Sequence, residues 1–385
     1  LCLAASPLLF SSSLLLRAMS KPVAPGDVVT PANRKKMLLK KTFEVGVILA
    51  TQLAIYEVLD NGKNGDKFRV RRECDREKSL YLLVEKSAAR EEDRYLVYDA
   101  IIADEFEQKA LLHNDNLFLP LDKGVIDDYV FAVVPTYIRA QDLFQKLDAE
   151  AEGAMDRSTR RGLALRIAVQ TLAGLSALHR IGWLHRAIRP SVVYFGAEKW
   201  RGRVFISEFL TAAPIDRNQH VSANGITLPQ THILNPSSLK FSSRRCDTSP
   251  SACQRMSVKD DLEAWFWMIH EYFGTNPFTP TRLMDAIREY QEPIDEMEAI
   301  HRLKRGLMGG LYNSLIRDIA VPELIQIADL IMMMKPDEVA PFAEIDALLK
   351  LAAARENVNP FSPPSAIATF NLGRFANSEE ACVSD

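Results

Sequence analysis

Paired cysteines at metal-binding spacing are missing from this chain. Its five cysteines, Cys2, Cys74, Cys246, Cys253 and Cys382, form no CxxC pair and no Cys/His grouping with zinc spacing. That removes zinc-ribbon and dithiol readings and fits a reduced, intracellular protein. Net charge is also scarce. Lys and Arg total 47 against 50 Asp and Glu, a balance of −3, so nothing points to nucleic acid or an anionic membrane surface. The short basic runs Arg34-Lys35-Lys36 and Lys40-Lys41 read as solvated faces. Long apolar runs are lacking too. The first twenty residues, "LCLAASPLLFSSSLLLRAMS", are apolar but are broken by Pro7 and three serines, so no stable membrane insertion is expected. Two readings of residues 1–18 stay open: a truncated signal peptide, which would make the protein secretory, or a false extension ahead of a true start at Met19.

What is present is a chain of 385 residues, 47% of them apolar, enough to bury a large core. Residues 1–40 read as a leader, with Pro22, Pro25 and Pro31 spacing its last part. From 43 to about 135, short runs have strand character: "FEVGVILA", "LAIYEVLD", "KFRVRR", "LYLLVE", "RYLVYDAI" and "YVFAVV". Asp60-Asn61-Gly62 and Asn64-Gly65-Asp66 punctuate them as turns. One helix is expected around "ADEFEQKALLH", with Phe106, Ala110 and His113 at helical spacing. Past residue 140 the period changes. "RRGLALRIAVQTLAGLSALHRIG" places Leu165, Ala168, Leu172, Leu175 and Leu178 on one face, with Gly182 as its C-cap. "DDLEAWFWMIHEYFG" is a second apolar helix, and helical patterning runs from about 281 to 356. The Pro-, Ser- and Asn-rich end reads as disordered. The expected organisation is a leader at 1–40, a strand-rich lobe at 41–136, a mostly helical lobe at 137–355 and a disordered tail at 356–385. Strands followed by helices make this an α+β, bilobal arrangement.

Three landmarks in order carry a family resemblance: "LHRIGWLHRAIRPSVVYF", then "VFISEFL", then "VKDDLEAWFWMIHEYFGTNPF". Together they resemble the catalytic loop, the metal-binding segment and the long large-lobe helix of a protein kinase. The similarity is greatest to the casein kinase one and tau-tubulin kinase group, over roughly residues 43–350. It implies a bilobal kinase-like fold, with a β-rich lobe carrying one main helix and a mostly α-helical second lobe. Phosphoryl transfer is almost wholly positioning and charge neutralisation, so each charged slot can be weighed separately.

Most of those slots are empty of their chemistry. The glycine-rich loop, where backbone N–H groups wrap phosphates because no Cβ intrudes, would hold Ile48, Ala50 and Leu53. Leu83 falls in the slot of the phosphate-pairing lysine, and Lys86, an odd offset away, should face the other side of its strand. Glu107 is the candidate for the helix glutamate. In the catalytic loop His185 and Arg186 match the family as packing and activation-loop residues. Ala187 replaces the proton-accepting Asp, a group that usually contributes about 10²–10⁴-fold in rate. Arg189 stands in for the usual lysine, and Val192 replaces a metal-ligating Asn, although hard cations want oxygen. The metal-binding tripeptide becomes Glu208-Phe209-Leu210, where Glu208 is the one remaining candidate ligand. Asp261 matches the buried Asp that holds the catalytic loop through its backbone N–H groups.

The resemblance therefore implies a kinase frame without its reaction: a pseudokinase acting as a binding, regulatory or scaffold module for an unidentified protein partner, holding neither ATP nor Mg²⁺. The alternative is an atypical serine/threonine kinase that binds ATP in a non-standard pose through Glu208, Arg189 and Glu107. Asn359-Pro360-Phe361 is a possible short docking motif, though Asn276-Pro277-Phe278 repeats it inside the folded region.

Overall fold

The computed structural model describes residues 53–62, 65–72, 75–86, 95–109, 116–126, 129–150, 155–215, 256–275, 296–306, 319–335 and 338–364. All of them belong to one compact unit, Ile48–Asp385. The leader, the glycine-loop slots Ile48 and Ala50, and residues 216–255 lie outside the described residues.

The strand signals at the start fold into a five-stranded antiparallel sheet. β1 (Leu53–Gly62), β2 (Gly65–Arg72), β3 (Asp75–Lys86), β4 (Asp122–Ile126) and β5 (Tyr129–Pro135) are ordered β1-β2-β3-β5-β4. β1 and β2 pair from Leu53↔Arg72 to Gly62↔Gly65, so Asp60-Asn61-Gly62, expected as a turn, is instead the paired end of β1. β5 is buried along nearly its whole length, as a strand inside a sheet must be, and ends at Pro135, which cannot donate to a ladder.

Between β3 and β4 runs α1 (Tyr95–Gln108). "RYLVYDAI", expected as a strand, is from Tyr95 onward the first half of this helix. Leu96, Asp99, Ile102, Ala103 and Phe106 recur at three- and four-residue intervals and are all buried. That helical period outweighs the strand preference of a short aromatic and β-branched run. Ala110 and His113, expected on the helix face, lie outside the described residues.

Past the sheet come β6 (Tyr137–Arg139), α2 (Ala140–Glu150) and α3 (Arg157–Arg180). The carboxylate of Asp156 caps α3, accepting the N–H groups of Ser158 and Thr159 at 3.0 and 2.9 Å. Residues along α3 from Leu163 to Leu178 form the centre of the main core. At Gly174 a Cβ would stand 2.6 Å from the carbonyl oxygen of Asn116, so only glycine admits this approach. Short strands β7 (Trp183–Leu184), β8 (Val193–Gly196), β9 (Val204–Ile206) and β10 (Ala213–Pro214) surround the loop between α3 and β8; β7 pairs with β10, and β8 lies between β6 and β9.

Helices α4 (Val258–Tyr272), α5 (Glu296–Gly306), α6 (Glu323–Met333) and α7 (Phe342–Arg355) follow. α4 is buried on nearly every side and is fixed to α3 by the indole N–H of Trp265, which donates to Thr171 Oγ1 at 2.9 Å. Deep in the core, the Gln170 amide has every site engaged. Its Oε1 accepts from Asn116 Nδ2 at 2.8 Å and Val204 N–H at 2.9 Å, and its Nε2 donates to the carbonyls of Gly202 at 2.8 Å and Pro360 at 2.6 Å. Such a residue is buried only because all its hydrogen bonds are met.

That last bond carries a correction. Residues 356–364 were expected to begin an unstructured tail, but they are laid down on α3 by Gln170, Arg161 and Arg166. Composition alone could not reveal these partners, which lie some 190 positions earlier in the chain. Among the described residues, no helix is long and apolar enough to cross a membrane.

Candidate functional site

The loop between β7 and β8 is pinned at its first turn. Asp261, fully buried near the start of α4, accepts the N–H of His185 at 2.7 Å through Oδ2 and that of Arg186 at 2.9 Å through Oδ1. His179 Nε2 lies 2.9 Å from the same Oδ2. Burial works against the charge of Asp261, but the contact with His179 and the bonds to the loop overcome it and hold the carboxyl below its usual range. Arg186 adopts a left-handed backbone, φ 69°, a conformation that costs a non-glycine residue about 1–3 kcal/mol. The Asp261 bonds on both sides of that peptide hold it there.

His185 is a packing residue with a fixed tautomer. The Ala187 N–H points at its Nδ1 at 3.3 Å, so Nδ1 accepts, and Nε2 donates to the Ser207 carbonyl at 2.9 Å. Burial pushes this imidazole down to about 4, so it stays neutral at physiological pH. The rest of the loop is tied by Tyr272, whose hydroxyl donates to the Pro190 carbonyl at 2.7 Å, and by Thr211, which donates to the His185 carbonyl at 3.0 Å.

Within this rigid loop the side chains offer little chemistry. Ala187 and Val192 are buried hydrocarbon, 3% and 0% exposed, and offer neither a proton acceptor nor an oxygen ligand. Glu208 sits in a left-handed conformation, φ 62°, just after β9. Its carboxylate is already engaged: Arg189 Nη2 lies 2.6 Å from Oε2, and the Tyr194 hydroxyl donates to Oε1 at 3.3 Å. Arg189 is itself oriented by Ser191, whose Oγ accepts from its Nε at 2.6 Å. The structure thus brings Arg189 and Glu208 together as an ion pair.

Glu107 is not part of this group. It stands in the last turn of α1 with its side chain 69% exposed, 3.6 Å from Lys123 of β4. The carboxylate that α1 does bring to Glu208 is Asp99, which accepts the Phe209 N–H at 3.4 Å. Burial pushes Asp99 up to about 8, against the lowering effect of that N–H and assisted by the negative charges of Glu208 and Glu85. Sequence reasoning missed Asp99 because its stretch was read as a strand; the signal was an acid at a core position of the 96–99–103–106 period.

The inward face of β3 reads Tyr81, Leu83, Glu85, by strand alternation. Leu83 is half-buried and pairs with Ala132 of β5. Two residues on, buried Glu85 accepts the Leu96 N–H at 2.9 Å, at the start of α1 where a carboxylate is favoured. Of Lys86 and Leu53 only the backbone is described.

Between the sheet and β8, aromatic rings fill the space. Tyr137 and Tyr194 stack at 4.5 Å, Tyr81 meets Tyr137 edge-on at 5.3 Å, and Phe118 packs edge-on against Tyr137 and Tyr194 at 4.9 and 5.1 Å. The ammonium of Lys67 caps this block, 4.5 Å from the ring centres of both Tyr81 and Tyr137. Among the described residues, no three His, Cys, Asp or Glu side chains converge as a metal ion requires.

No protein-family model matches the sequence, and none of the curated proteins does either. Solved structures do match. One is the structure of vaccinia related kinase 3, at a TM-score of 0.53 and 14% identity, covering 86% of this chain and 99% of that one. The chain has a protein-kinase-like fold.

Proposed function

We propose that this kinase-like chain is a pseudokinase: a two-lobed binding or regulatory module, of casein kinase one or tau-tubulin kinase descent, that performs no phosphoryl transfer. One observation carries the reading. Both carboxylate oxygens of Glu208 are engaged by Arg189 and Tyr194, while Ala187 and Val192 close the loop with hydrocarbon. The carboxylate that would have to bind a metal is already paired with a guanidinium of the same chain. The residues present therefore do not fit Mg²⁺, which wants several oxygens in octahedral array.

The aromatic block supports the same reading. A nucleobase entering between the sheet and β8 would have to displace Tyr137 and Tyr194, and nearby, among the described residues, stand the carboxyl groups of Glu85, Asp99 and Glu208. Among the described residues, the cooperation of base, lysine and metal that lowers a phosphoryl-transfer barrier has no counterpart. The fold without its reaction suits a scaffold for a protein partner inside the cell, with neither ATP nor Mg²⁺ as cofactor and no nucleic-acid or membrane-inserted role.

The test is thermal unfolding with millimolar ATP and Mg²⁺. A ligand that binds only the folded state must raise the midpoint; none is expected here. A Mg²⁺-dependent rise would instead support the atypical serine/threonine kinase, and transfer of labelled phosphate to a generic protein substrate would overturn the pseudokinase reading outright.

A further inference from the structure

The stretch after α7 is laid along α3 and over the turn between β8 and β9, and its fastening is unusual in charge. Arg161 meets Glu356 at 3.0 Å. Asn359 forms a tight turn, its side-chain oxygen accepting the Phe361 N–H at 3.0 Å and its carbonyl accepting the Ser362 hydroxyl at 3.1 Å. Gly202, at φ 91°, lies so close to this turn that a Cβ would stand 2.8 Å from the Phe361 carbonyl oxygen. Arg166 holds the base of the turn. Its Nη1 donates to the carbonyls of Asn359 and Ser362 and lies 3.3 Å from Ser362 Oγ.

Arg166 is therefore a half-buried guanidinium bonded, among the described residues, to neutral oxygens alone. It cannot shed its proton in a protein, and burial works against its charge. The acid nearest in sequence on the stretch, Glu356, is paired to Arg161. Ser362 is only partly buried and is followed by Pro363 and Pro364, which lack N–H groups and favour an extended backbone. Once the turn at Asn359 opens, that extended conformation can present the serine to another protein's cleft.

We propose that Ser362 is a phosphorylation site, modified in trans by a proline-directed protein kinase with ATP, and that Arg166 receives the phosphate. In the step, Ser362 Oγ forms a bond to the γ-phosphorus of ATP as the bond from that phosphorus to the β,γ-bridging oxygen breaks. The hydroxyl proton passes to the modifying kinase's base, and ADP leaves. The ester oxygen gives up its bond to the Asn359 carbonyl. In exchange, phosphoryl oxygens gain charge-assisted, bidentate bonds to a guanidinium that already lies within reach of Oγ. Modification requires the stretch to lift briefly from α3, a local opening of the kind chain termini undergo, and the phosphate then fastens it more tightly than before.

The experiment treats the full chain with a proline-directed kinase and ATP, maps phosphate by tandem mass spectrometry, and records thermal unfolding before and after. Ser6, Thr30, Ser249 and Thr279 also precede proline, so the Ser362→Ala variant isolates the contribution of this site. Phosphate on Ser362 is expected, with a midpoint raised by about 2–4 °C in the wild type and unchanged in Arg166→Gln. Modification confined to other sites, or an equal shift in both proteins, overturns the proposal. Should Arg166→Gln fail to fold, phosphorus NMR of the modified wild type decides. A phosphoserine held by Arg166 titrates below its ordinary second pKa of about 6, and an ordinary value overturns the assignment.

Discussion

The guanidinium of Arg189 and the carboxylate of Glu208 meet at 2.6 Å, joining the loop ahead of β8 to the turn behind β9. Both side chains are about one quarter exposed, so water screens the pair only in part. Arg189→Met and Glu208→Gln should each lower stability by about 1–3 kcal/mol, because each leaves a polar partner unmet. The double variant should lose less than the sum, by about 0.5–3 kcal/mol. Urea unfolding of the four proteins measures this coupling; strict additivity would show that the contact contributes nothing.

Asp261→Asn should cost about 3 kcal/mol, the scale of hydrogen bonds to a charged acceptor lost from a buried site. An amide can accept from only one of the His185 and Arg186 N–H groups and presents its own N–H₂ to the other. The charge also sets a pH dependence. With the folded value of Asp261 held below the ordinary 3.8, its stabilisation is present above that ordinary value and fades as pH falls through the folded one. The variant should accordingly lose part of the acid limb seen in the wild type by circular dichroism.

Asp99 acts in the opposite sense. Its folded value is raised from 3.8 to about 8, so the native state keeps a proton that the unfolded chain has released. Stability from this group falls as pH climbs from about 4 to about 8, by up to about 1.4 kcal/mol per pH unit. Asp99→Asn removes that slope and should be the more stable protein at pH 7. The difference between the two proteins isolates Asp99 from His185, His270 and Lys304, whose lowered values make stability rise with pH. Denaturant titrations at pH 5, 6, 7 and 8 check it, and parallel curves would rule the assignment out.

Gly174→Ala reverses an ordinary rule. In a helix interior alanine is favoured over glycine by about 1 kcal/mol. Here the added methyl meets the Asn116 carbonyl at 2.6 Å, so α3 must shift from a neighbour that the Gln170 amide also holds. A net loss of about 1–3 kcal/mol is expected from thermal or urea unfolding, and a more stable variant would contradict the close approach.

The sequence was most informative where several landmarks follow one another in order. Asp261, the loop from His185 to Val192 and the long apolar α3 were legible because each pairs a local pattern with a place in that order. α1 was not. Its aromatic and β-branched residues favour a strand locally, and only packing against β3 and β5 shows that Asp99 belongs to a helical core face. Glu107 fits the helix-glutamate slot of the resemblance by residue type, whereas its side chain lies beside Lys123 of β4. The ordering of residues 356–364 depends on Arg161, Arg166 and Gln170, and long-range partners of that kind leave no trace in the composition of the stretch they hold.

The Gln170 amide has a direction: its oxygen accepts from Asn116 and Val204 on one side, and its nitrogen donates to the Gly202 and Pro360 carbonyls on the other. Hydrolysis of that amide to a carboxylate, a change of one heavy atom with no change of shape, would set a negative oxygen against the Gly202 and Pro360 carbonyls. Slow chemical ageing at this one side chain would thus loosen residues 356–364 and the turn between β8 and β9 together, although every apolar contact in the core remained in place.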